Sequence, residues 1–467
     1  DTPAETVILA DNMRLAKIDA GSAVLGTLNI AGVRLTIREG RVEARSNDID
    51  AGDVTLAKTG TLPEGGRVEN VQIKRPVFVL EPSGRYRASA DMSIGGGTVG
   101  SIPLGTATSK VQITNDRVDL NELTAQVMEG SLTGNAVIAL NSRTNSTINA
   151  EFTGLDLSKA AALQAGRVLP LEGRTNGRID LEMRGTDYRT LSGTVSADIA
   201  ANAGTADADR IPVNGTVKLV ADQGLFTVDQ ARLATEKTEL SATGRFDLRS
   251  EDSDLELNLN SSDAAEVEQL VRIFGVSPTF EEKIDSMKAA VGGQLKFNGT
   301  IKGNLTDPLI DGTAFLEKIS LRGVDLGSLS TGISVGPDGT EFTNGKLSDP
   351  DGGTLTFTAS IPSVGVNNIS VDAELTDINV ARLLAAIPAD LPEPIRSMSG
   401  KTSGTVQLSG LPKESVGEVD IKAAQGTIGG QDFDSLAVKA VFRGSQIDLA
   451  EGTISVGSGR LTAGGSY

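Results

Sequence analysis

The stretch at 255–260 reads LELNLN and decides the fold. Leu255, Leu257 and Leu259 alternate with polar residues, which is the period of a strand with one apolar and one wet face. Similar runs recur along the chain, bounded by Gly, Asn, Asp or Pro, the residues that hairpin turns require. The clearest are at 148–152, 355–361 and 369–375. The pattern predicts an all-β fold, mostly antiparallel sheet, with a few short helices.

The amino-acid composition excludes several classes of function. The 467 residues include 43 Lys and Arg against 61 Asp and Glu, a net charge of −18, and no His, Cys or Trp. Without His or Cys, a Ser-His-Asp or Cys-His catalytic site, an ordinary zinc or haem site and a disulfide framework are all excluded. The acidic balance argues against nucleic acid, because phosphate binding needs a basic stripe. We therefore predict a non-enzyme that uses no metal or cofactor and binds no nucleic acid.

Two short motifs have a chemical and a structural interpretation. Residues 332–336, GISVG, match the G-x-S-x-G pattern of hydrolases, but the turn-forming Pro-Asp-Gly at 337–339 follows and no His is present to act as base. Residues 349–353, DPDGG, offer two carboxylates to a calcium ion but lack the EF-hand ligand series. The structural interpretation, a strand and a turn, is favoured for both.

A strand with a leading leucine recurs four times, at Leu132, Leu240, Leu355 and Leu461, with intervals of 108, 115 and 106 residues. A short helix is predicted about thirty residues after each of the first three leucines, and in the second and third of these segments apolar residues recur every three or four positions. These helices are predicted at 156–165, 263–274 and 377–387. Units that repeat in this way stack mainly on their neighbours, so we expect an elongated solenoid of ~108-residue repeats.

The repeats predict the organisation of the chain. The expected boundaries are a partial repeat at 1–60, full repeats at 61–170, 171–290 and 291–395, and an incomplete repeat at 396–467. At around 12 residues per strand and turn, the chain should hold about 35 to 40 strands, which at about 4.8 Å each extend on the order of 170 to 190 Å. A further amphipathic helix is expected at 279–290.

The apolar face of such a sheet must either be sealed by protein or remain as an open groove. An open groove exposes far more apolar surface than the few hundred Å² usual for a soluble monomer, which implies a ligand. Because the face is aliphatic, the ligand that fits is a phospholipid acyl chain. The residues predicted to line the groove are Leu132, Ile138, Leu240, Phe246, Leu255, Leu257, Leu259, Leu355, Phe357, Ile369 and Val371.

One stretch carries a family resemblance. Residues 299–312, GTIKGNLTDPLIDG, followed by LRGVDLGSL at 321–329, contain the phrase G-x-L-x-x-P-x-x-x-G. This phrase resembles one that recurs in the AsmA-like superfamily, and most of all in its TamB family of bridge-like lipid transfer proteins. The joint between LPE at 391–393 and MSG at 398–400 is similar to that superfamily too.

The resemblance implies a β-taco groove that carries phospholipid between the inner and outer membranes. It also implies a role in outer-membrane biogenesis and in the assembly or secretion of outer-membrane proteins, with an outer-membrane β-barrel as partner. The expected location is the bacterial periplasm, in a full-length protein that an anchor outside this chain holds in the inner membrane. The alternative is a structural or adhesive cell-surface β-solenoid with a closed core. Such solenoids usually repeat at about 20 to 30 residues, which favours the conduit here.

Overall fold

The structure is a computed structural model that describes residues 5–19, 21, 23–58, 64–100, 102–165, 167–201, 210–247, 252–274, 285, 288–304, 308–363, 368–386, 393–411 and 414–466. Strands make up 77% of it and helices 7%, which confirms the all-β class with a few short helices. The chain divides into two compact units, Asp1–Thr235 (the first unit) and Glu236–Tyr467 (the second unit).

The described residues of the first unit form seventeen strands and one helix. The strands are β1 (Glu5–Asp19), β2 (Ala23–Arg38), β3 (Arg41–Arg45), β4 (Asp48–Leu56), β5 (Gly66–Leu80), β6 (Tyr86–Ile94), β7 (Gly96–Val99), β8 (Ile102–Thr114), β9 (Arg117–Val127), β10 (Gly130–Ala139), β11 (Asn145–Asp156), β12 (Leu171–Glu172), β13 (Arg174–Arg184), β14 (Asp187–Ala200), β15 (Ile211–Pro212), β16 (Asn214–Asp222) and β17 (Leu225–Ala234). The helix is α1 (Leu157–Ala165).

The described residues of the second unit form thirteen strands and three helices, and residue 285 is also helical. The strands are β18 (Thr238–Asp247), β19 (Ser253–Ser261), β20 (Ala289–Gly303), β21 (Leu309–Leu321), β22 (Val324–Gly336), β23 (Gly339–Ser348), β24 (Thr354–Pro362), β25 (Ile369–Asn379), β26 (Ser399–Leu411), β27 (Val416–Ile428), β28 (Gln431–Arg443), β29 (Gln446–Val456) and β30 (Gly459–Ser466). The helices are α2 (Ala264–Phe274), α3 (Val380–Ala386) and α4 (Glu393–Arg396).

Most strands that follow one another along the chain pair antiparallel, as predicted, although in the first unit some pair with the strand after next, such as β3 with β5 and β6 with β8. In the second unit this holds from β18 to β30. A tight turn shows why such hairpins form: between β16 and β17, Gln223 and Gly224 have φ of 51° and 79°, the two positive angles of a type I′ turn, whose twist matches that of the flanking strands. The parallel exception is the two-residue pairing of β12 with β15 in the first unit.

The expected number of strands is too high for the described residues, which contain thirty. The estimate allowed around 12 residues for a strand with its turn, whereas β2 alone has 16 residues and β5 and β20 have 15 each. Bulges let these long strands bend without ending, as where β4 and β5 shift register twice between Asp50 and Val54.

Three helices are insertions between paired strands. The strands before and after α1, β11 and β13, pair directly with each other, and the same holds for β19 and β20 around α2 and for β25 and β26 around α3. A polar side chain caps each start: Asp156 accepts a hydrogen bond from the backbone N–H of Lys159, Asp263 from that of Ala265, and Asn379 from that of Ala381. The recurring strand, helix and strand match the predicted repeat marker.

The helices predicted at 156–165 and 263–274 are confirmed, while the third begins later than predicted. Residues 377–379 continue β25, because Ile378 pairs with Thr402 of β26 and is only 2% exposed. Most of the helix predicted at 279–290 lies outside the described residues. Its last two positions, Ala289 and Ala290, are strand residues of β20, so the prediction is wrong there. The five repeat boundaries stay a prediction.

Candidate functional site

The register of the second unit aligns apolar residues across twelve consecutive strands. Directly paired residues in antiparallel strands point to the same face of the sheet. One residue from each strand, β18 to β29, therefore forms a continuous line, which we call row A, and every member is apolar or glycine. Row A consists of Ala242, Leu257, Gly299, Gly312, Ile333, Phe342, Ala359, Val371, Leu408, Gly417, Phe442 and Ile447.

A second line, row B, runs parallel to row A on the same face. It crosses eleven strands, β20 to β30, and six of its members are leucines. Row B consists of Leu295, Leu316, Leu329, Leu347, Leu355, Leu375, Gly404, Ile421, Val438, Gly452 and Ala463. Rows A and B together make one apolar face.

The opposite face of the same strands is polar. A line of directly paired residues on this opposite face crosses β18 to β29. It contains a single apolar member, Phe315. It consists of Glu239, Asn260, Lys296, Phe315, Ser330, Lys346, Thr356, Glu374, Thr405, Asp420, Lys439 and Glu451. The second unit is thus two-faced, as the alternation of single strands predicts.

The first unit has an apolar face of its own, built in the same way. Row C crosses nine strands between β6 and β17, and row D crosses eight between β1 and β10. Row C consists of Ile94, Ala107, Ala125, Leu132, Phe152, Gly177, Ala197, Val217 and Ala231. Row D consists of Ile8, Leu35, Ala44, Phe78, Ala88, Ile113, Val118 and Ile138.

Most side chains of the apolar face are only half-buried, although Leu347 and Leu375 of row B and Ala125 and Phe152 of row C are buried. Eleven members of row A are intermediate in exposure, and the twelfth, Ile447, is 38% exposed. In row D, Phe78 and Ile138 are 38% and 42% exposed. The most deeply buried side chains lie elsewhere, at the helix joints, where Leu169 and Ile378 are each 2% exposed. A sealed sandwich would bury its inner faces, so this exposure is that of an open face.

The eleven residues predicted to line the groove fall on these faces. Leu132, Ile138, Leu257, Leu355 and Val371 are members of rows A to D. Of the other six, Leu240 pairs with Leu259, Leu255 with Gly244, Phe357 with Gly345 and Ile369 with Leu411. Phe246 pairs with the buried Ser253 and lies on the same face, four residues from Ala242 of row A. That these residues contact lipid remains a prediction.

Sequence reasoning missed several members of row A, among them Ile333, Phe342, Leu408 and Phe442. Ile333, Phe342 and Leu408 each alternate with polar or small neighbours, so for them the signal was present in the sequence, whereas Phe442 follows Val441. Alternation alone does not show which of the two faces of a strand meets that of its neighbour, because a slip of one residue exchanges them. The pairing register was needed to find these residues.

Helices α1 and α2 lie at one margin of the apolar face of their units. A Cβ placed on Gly173 would lie 3.3 Å from Leu157 Cδ2 of α1 and 3.3 Å from Ile199 Cγ2 of the apolar face. In the second unit, the hydroxyl of Thr238 donates to the carboxylate of Glu266 on α2 and lies 2.9 Å from the Ser261 hydroxyl. Both hydroxyl residues are buried, so the apolar face ends here in a satisfied polar cluster.

Helix α3 is fixed by one arginine. Arg382 donates to the Asp325 carbonyl at 2.9 Å and to the Asp351 carboxylate at 3.0 Å. The buried carboxylate of Asp349 accepts the backbone N–H groups of Asp351 and Asn379, both at 3.0 Å. A hydrogen bond from the side chain of Asn379, and then one from Arg382, lower the pKa of Asp351 below its ordinary value. The turn at 349–353 is therefore a helix anchor.

Other chemistry has no visible support in the described part of the chain. No group of three or more acidic residues there is placed to hold a metal ion. The GISVG motif lies inside β22 and not at a strand-to-helix turn, so it lacks the geometry of a nucleophilic serine. None of the described helices combines the length and the apolar character that a membrane crossing requires.

The cap of α2 provides a pH-dependent prediction. A hydrogen bond from Lys237 at 2.8 Å, and then one from the backbone N–H of Ala265, lower the pKa of Asp263 below its ordinary 3.8. A carboxylate with a depressed pKa stabilises the fold above about 3.8 and loses that contribution as the pH falls through the folded value. Asp263→Asn should therefore lower the denaturant midpoint at pH 7, and the difference from wild type should vanish in strong acid.

The control for this prediction is Glu256→Gln, an exposed residue of the neighbouring strand β19. It should leave the midpoint unchanged within error at both pH values. An Asp263→Asn deficit that persists undiminished at the acid end of the titration would contradict the electrostatic explanation.

Comparison with known families supports an assignment. Residues 121–306 match the family model described as the TamB C-terminal domain. The match supports the assignment of the chain to the TamB/AsmA-like family. The matched segment contains α1 and α2 together with seven of the nine members of row C and three of the twelve members of row A, so the family match falls mainly on the apolar face of the first unit. No curated protein matches the chain.

The TamB family is a non-enzymatic family of the cell envelope, and its translocation and assembly module is associated with outer-membrane assembly. The resemblance seen at 299–312 is thereby confirmed, since that stretch overlaps the end of the matched segment.

Proposed function

We propose that this chain is part of a periplasmic conduit whose apolar face carries phospholipids between the inner and outer membranes. In this proposal the acyl chains lie along rows A to D while the headgroups stay in water. The observation that carries it is the unbroken row A, twelve strands without a polar member and half-exposed over its length. An apolar surface of that extent is exposed in order to bind something.

The geometry also suits movement. Each methylene removed from water contributes about 0.8 kcal/mol when fully buried, and less on a face that covers it from one side only. An acyl chain is long enough to contact several strands at once, so a slide of one strand along row A exchanges only a part of its contacts, with Leu, Ile, Val or Phe at seven positions and Ala or Gly at the other five. Because the free energy of binding changes little from step to step, the barrier to sliding is low. Lipid transport then needs no catalytic residue.

The TamB match supports the cellular part of the proposal. The conduit would support outer-membrane biogenesis and the assembly or secretion of outer-membrane proteins, working with an outer-membrane β-barrel protein. The full-length protein would be held at the inner membrane. The competing function, a structural or adhesive solenoid, needs a closed core, and the half-exposed rows within each unit argue against it.

The direct test is chemical analysis of the purified chain. Protein isolated under mild conditions from a Gram-negative host is extracted with organic solvent, and the extract is analysed by mass spectrometry. We expect phospholipid in a reproducible ratio to protein. The same chain, stripped of lipid, should take up phosphatidylethanolamine from vesicles. Repeated absence of both copurified and acquired phospholipid would refute the conduit and favour the closed solenoid.

A further inference from the structure

Phe357 of β24 lies over a glycine of the neighbouring strand. It pairs directly with Gly345 of β23. A Cβ on Gly345 would lie 2.5, 2.6 and 2.7 Å from Cζ, Cε1 and Cε2 of the ring. Near-equal distances to three consecutive ring atoms place that Cβ position over the face of the ring. The ring therefore lies flat on the backbone of Gly345, on the apolar face and diagonal to Val371 of row A.

The glycine is required here by the ring and not by the backbone. The φ angle of Gly345 is not positive, so any residue can adopt its backbone conformation. The three atoms nearest to its missing Cβ all belong to Phe357. A side chain at 345 would occupy the space that the ring now fills.

The same arrangement recurs. In the first unit, Phe152 pairs with Gly177, and its Cζ lies 2.5 Å from the position of a Cβ there. In the second unit, the Cζ of Phe433 lies 2.6 Å from that position on its partner Gly426. The ring of Phe297 covers Gly299 and Gly312 at 2.6 and 2.8 Å. At these positions backbone atoms are also close, which leaves the pair at 345 and 357 as the cleanest to test.

We infer that the glycines beneath these phenylalanines determine how much free space lies above the apolar face, and hence its capacity for acyl chains. Where the residue beneath is glycine, the ring lies flat against the sheet and forms part of the apolar face. With a larger residue below, the ring must rotate away from the sheet, because the close-packed backbone beneath cannot yield. The raised ring would occupy space that an acyl chain needs. This inference rests on the proposed lipid-binding function.

The test uses the full chain with a photoreactive benzoylphenylalanine in place of Val371, next to the ring. The protein is incubated with phosphatidylethanolamine–phosphatidylglycerol vesicles that contain tritiated phosphatidylethanolamine, then irradiated. Gly345→Val should lower the label at 371 by about tenfold, the effect of taking roughly two methylene groups out of apolar contact. The double variant Gly345→Val, Phe357→Ala should restore the label, because it has no ring to raise.

The matched control is Gly292→Val on β20. Gly292 has nothing within 4 Å of its Cβ position and also lacks a positive φ, so the substitution should leave the label unchanged. If Gly345→Val does not fold, Gly345→Ala tests the same contact, and a smaller loss of label is expected. Wild-type labelling in a folded Gly345 variant would overturn the inference. If the protein that carries benzoylphenylalanine at 371 and keeps Gly345 acquires no label, the proposed function is overturned, and the inference with it.

Discussion

Leu257→Asp is expected to abolish phospholipid binding by the full chain while leaving it folded. Leu257 sits in row A between Ala242 and Gly299, half-exposed on the apolar face. A carboxylate there would have to lose water whenever an acyl chain passes, which costs several kcal/mol for an unpaired charge. The folded chain without lipid keeps that carboxylate hydrated, so the fold tolerates it. Uptake of labelled phosphatidylethanolamine and far-UV circular dichroism together measure the two effects.

The control for Leu257→Asp is Asn258→Asp, its immediate neighbour in β19. Asn258 is exposed on the polar face, where it pairs with Ser241 and Asn298. The substitution adds the same charge to the same strand and should leave lipid uptake unchanged. Global unfolding of Leu257→Asp would contradict the open face, because it would mean that Leu257 belongs to a sealed core.

Ile378→Ala should destabilise the second unit by about 2 to 5 kcal/mol, the range for truncating a fully buried aliphatic side chain. Ile378 is 2% exposed, at the joint where β25 passes into α3, next to the buried Val380. Leu257→Ala should cost much less, about 1 kcal/mol, because its side chain is only partly buried in the folded chain. The difference between these two costs measures how open the apolar face is.

Hydrogen exchange resolved by peptide is the suitable measurement, since a chain of two units need not unfold in one step. Ile378→Ala should accelerate exchange in β25 and β26, whereas Leu257→Ala should leave β19 close to wild type. Leu169→Ala, also at a site only 2% exposed, gives the corresponding large effect in the first unit. Equal costs for Leu257→Ala and Ile378→Ala would show that row A is packed like a core.

Much of the fold follows from local patterns in the chain. The alternation at 255–260 predicts β19 and its two faces, and the observed strand spans Ser253–Ser261. The helix at 263–274 was predicted because Asp263 precedes apolar residues at helical spacing, and its carboxylate does cap α2. The helix at 156–165 was predicted from its place in the repeat, and Asp156 caps it. The start of α3 was missed, because the pairing of Ile378 with Thr402 is a contact between distant residues that no local pattern encodes.

The candidate site was less accessible to sequence reasoning. That an apolar face exists follows from alternation, and Leu257 and Val371 were correctly placed on it. Which residues stand side by side depends on register and on bulges. In β23 the bulge around Asn344, whose φ is 50°, brings both Phe342 and Leu347 to the same face although they are five residues apart. Simple counting by twos puts them on opposite faces.

The sequence by itself determined that each strand has an apolar and a polar side, that histidine and cysteine chemistry is excluded, and that short helices recur. All three features depend on composition or on neighbours along the chain. Only the tertiary structure decided that the apolar sides join into rows A to D, that row A stays half-exposed, and that Phe357 lies on Gly345. These features depend on hydrogen-bond register between strands, and register is chosen by the packing of a whole sheet and not by any one segment.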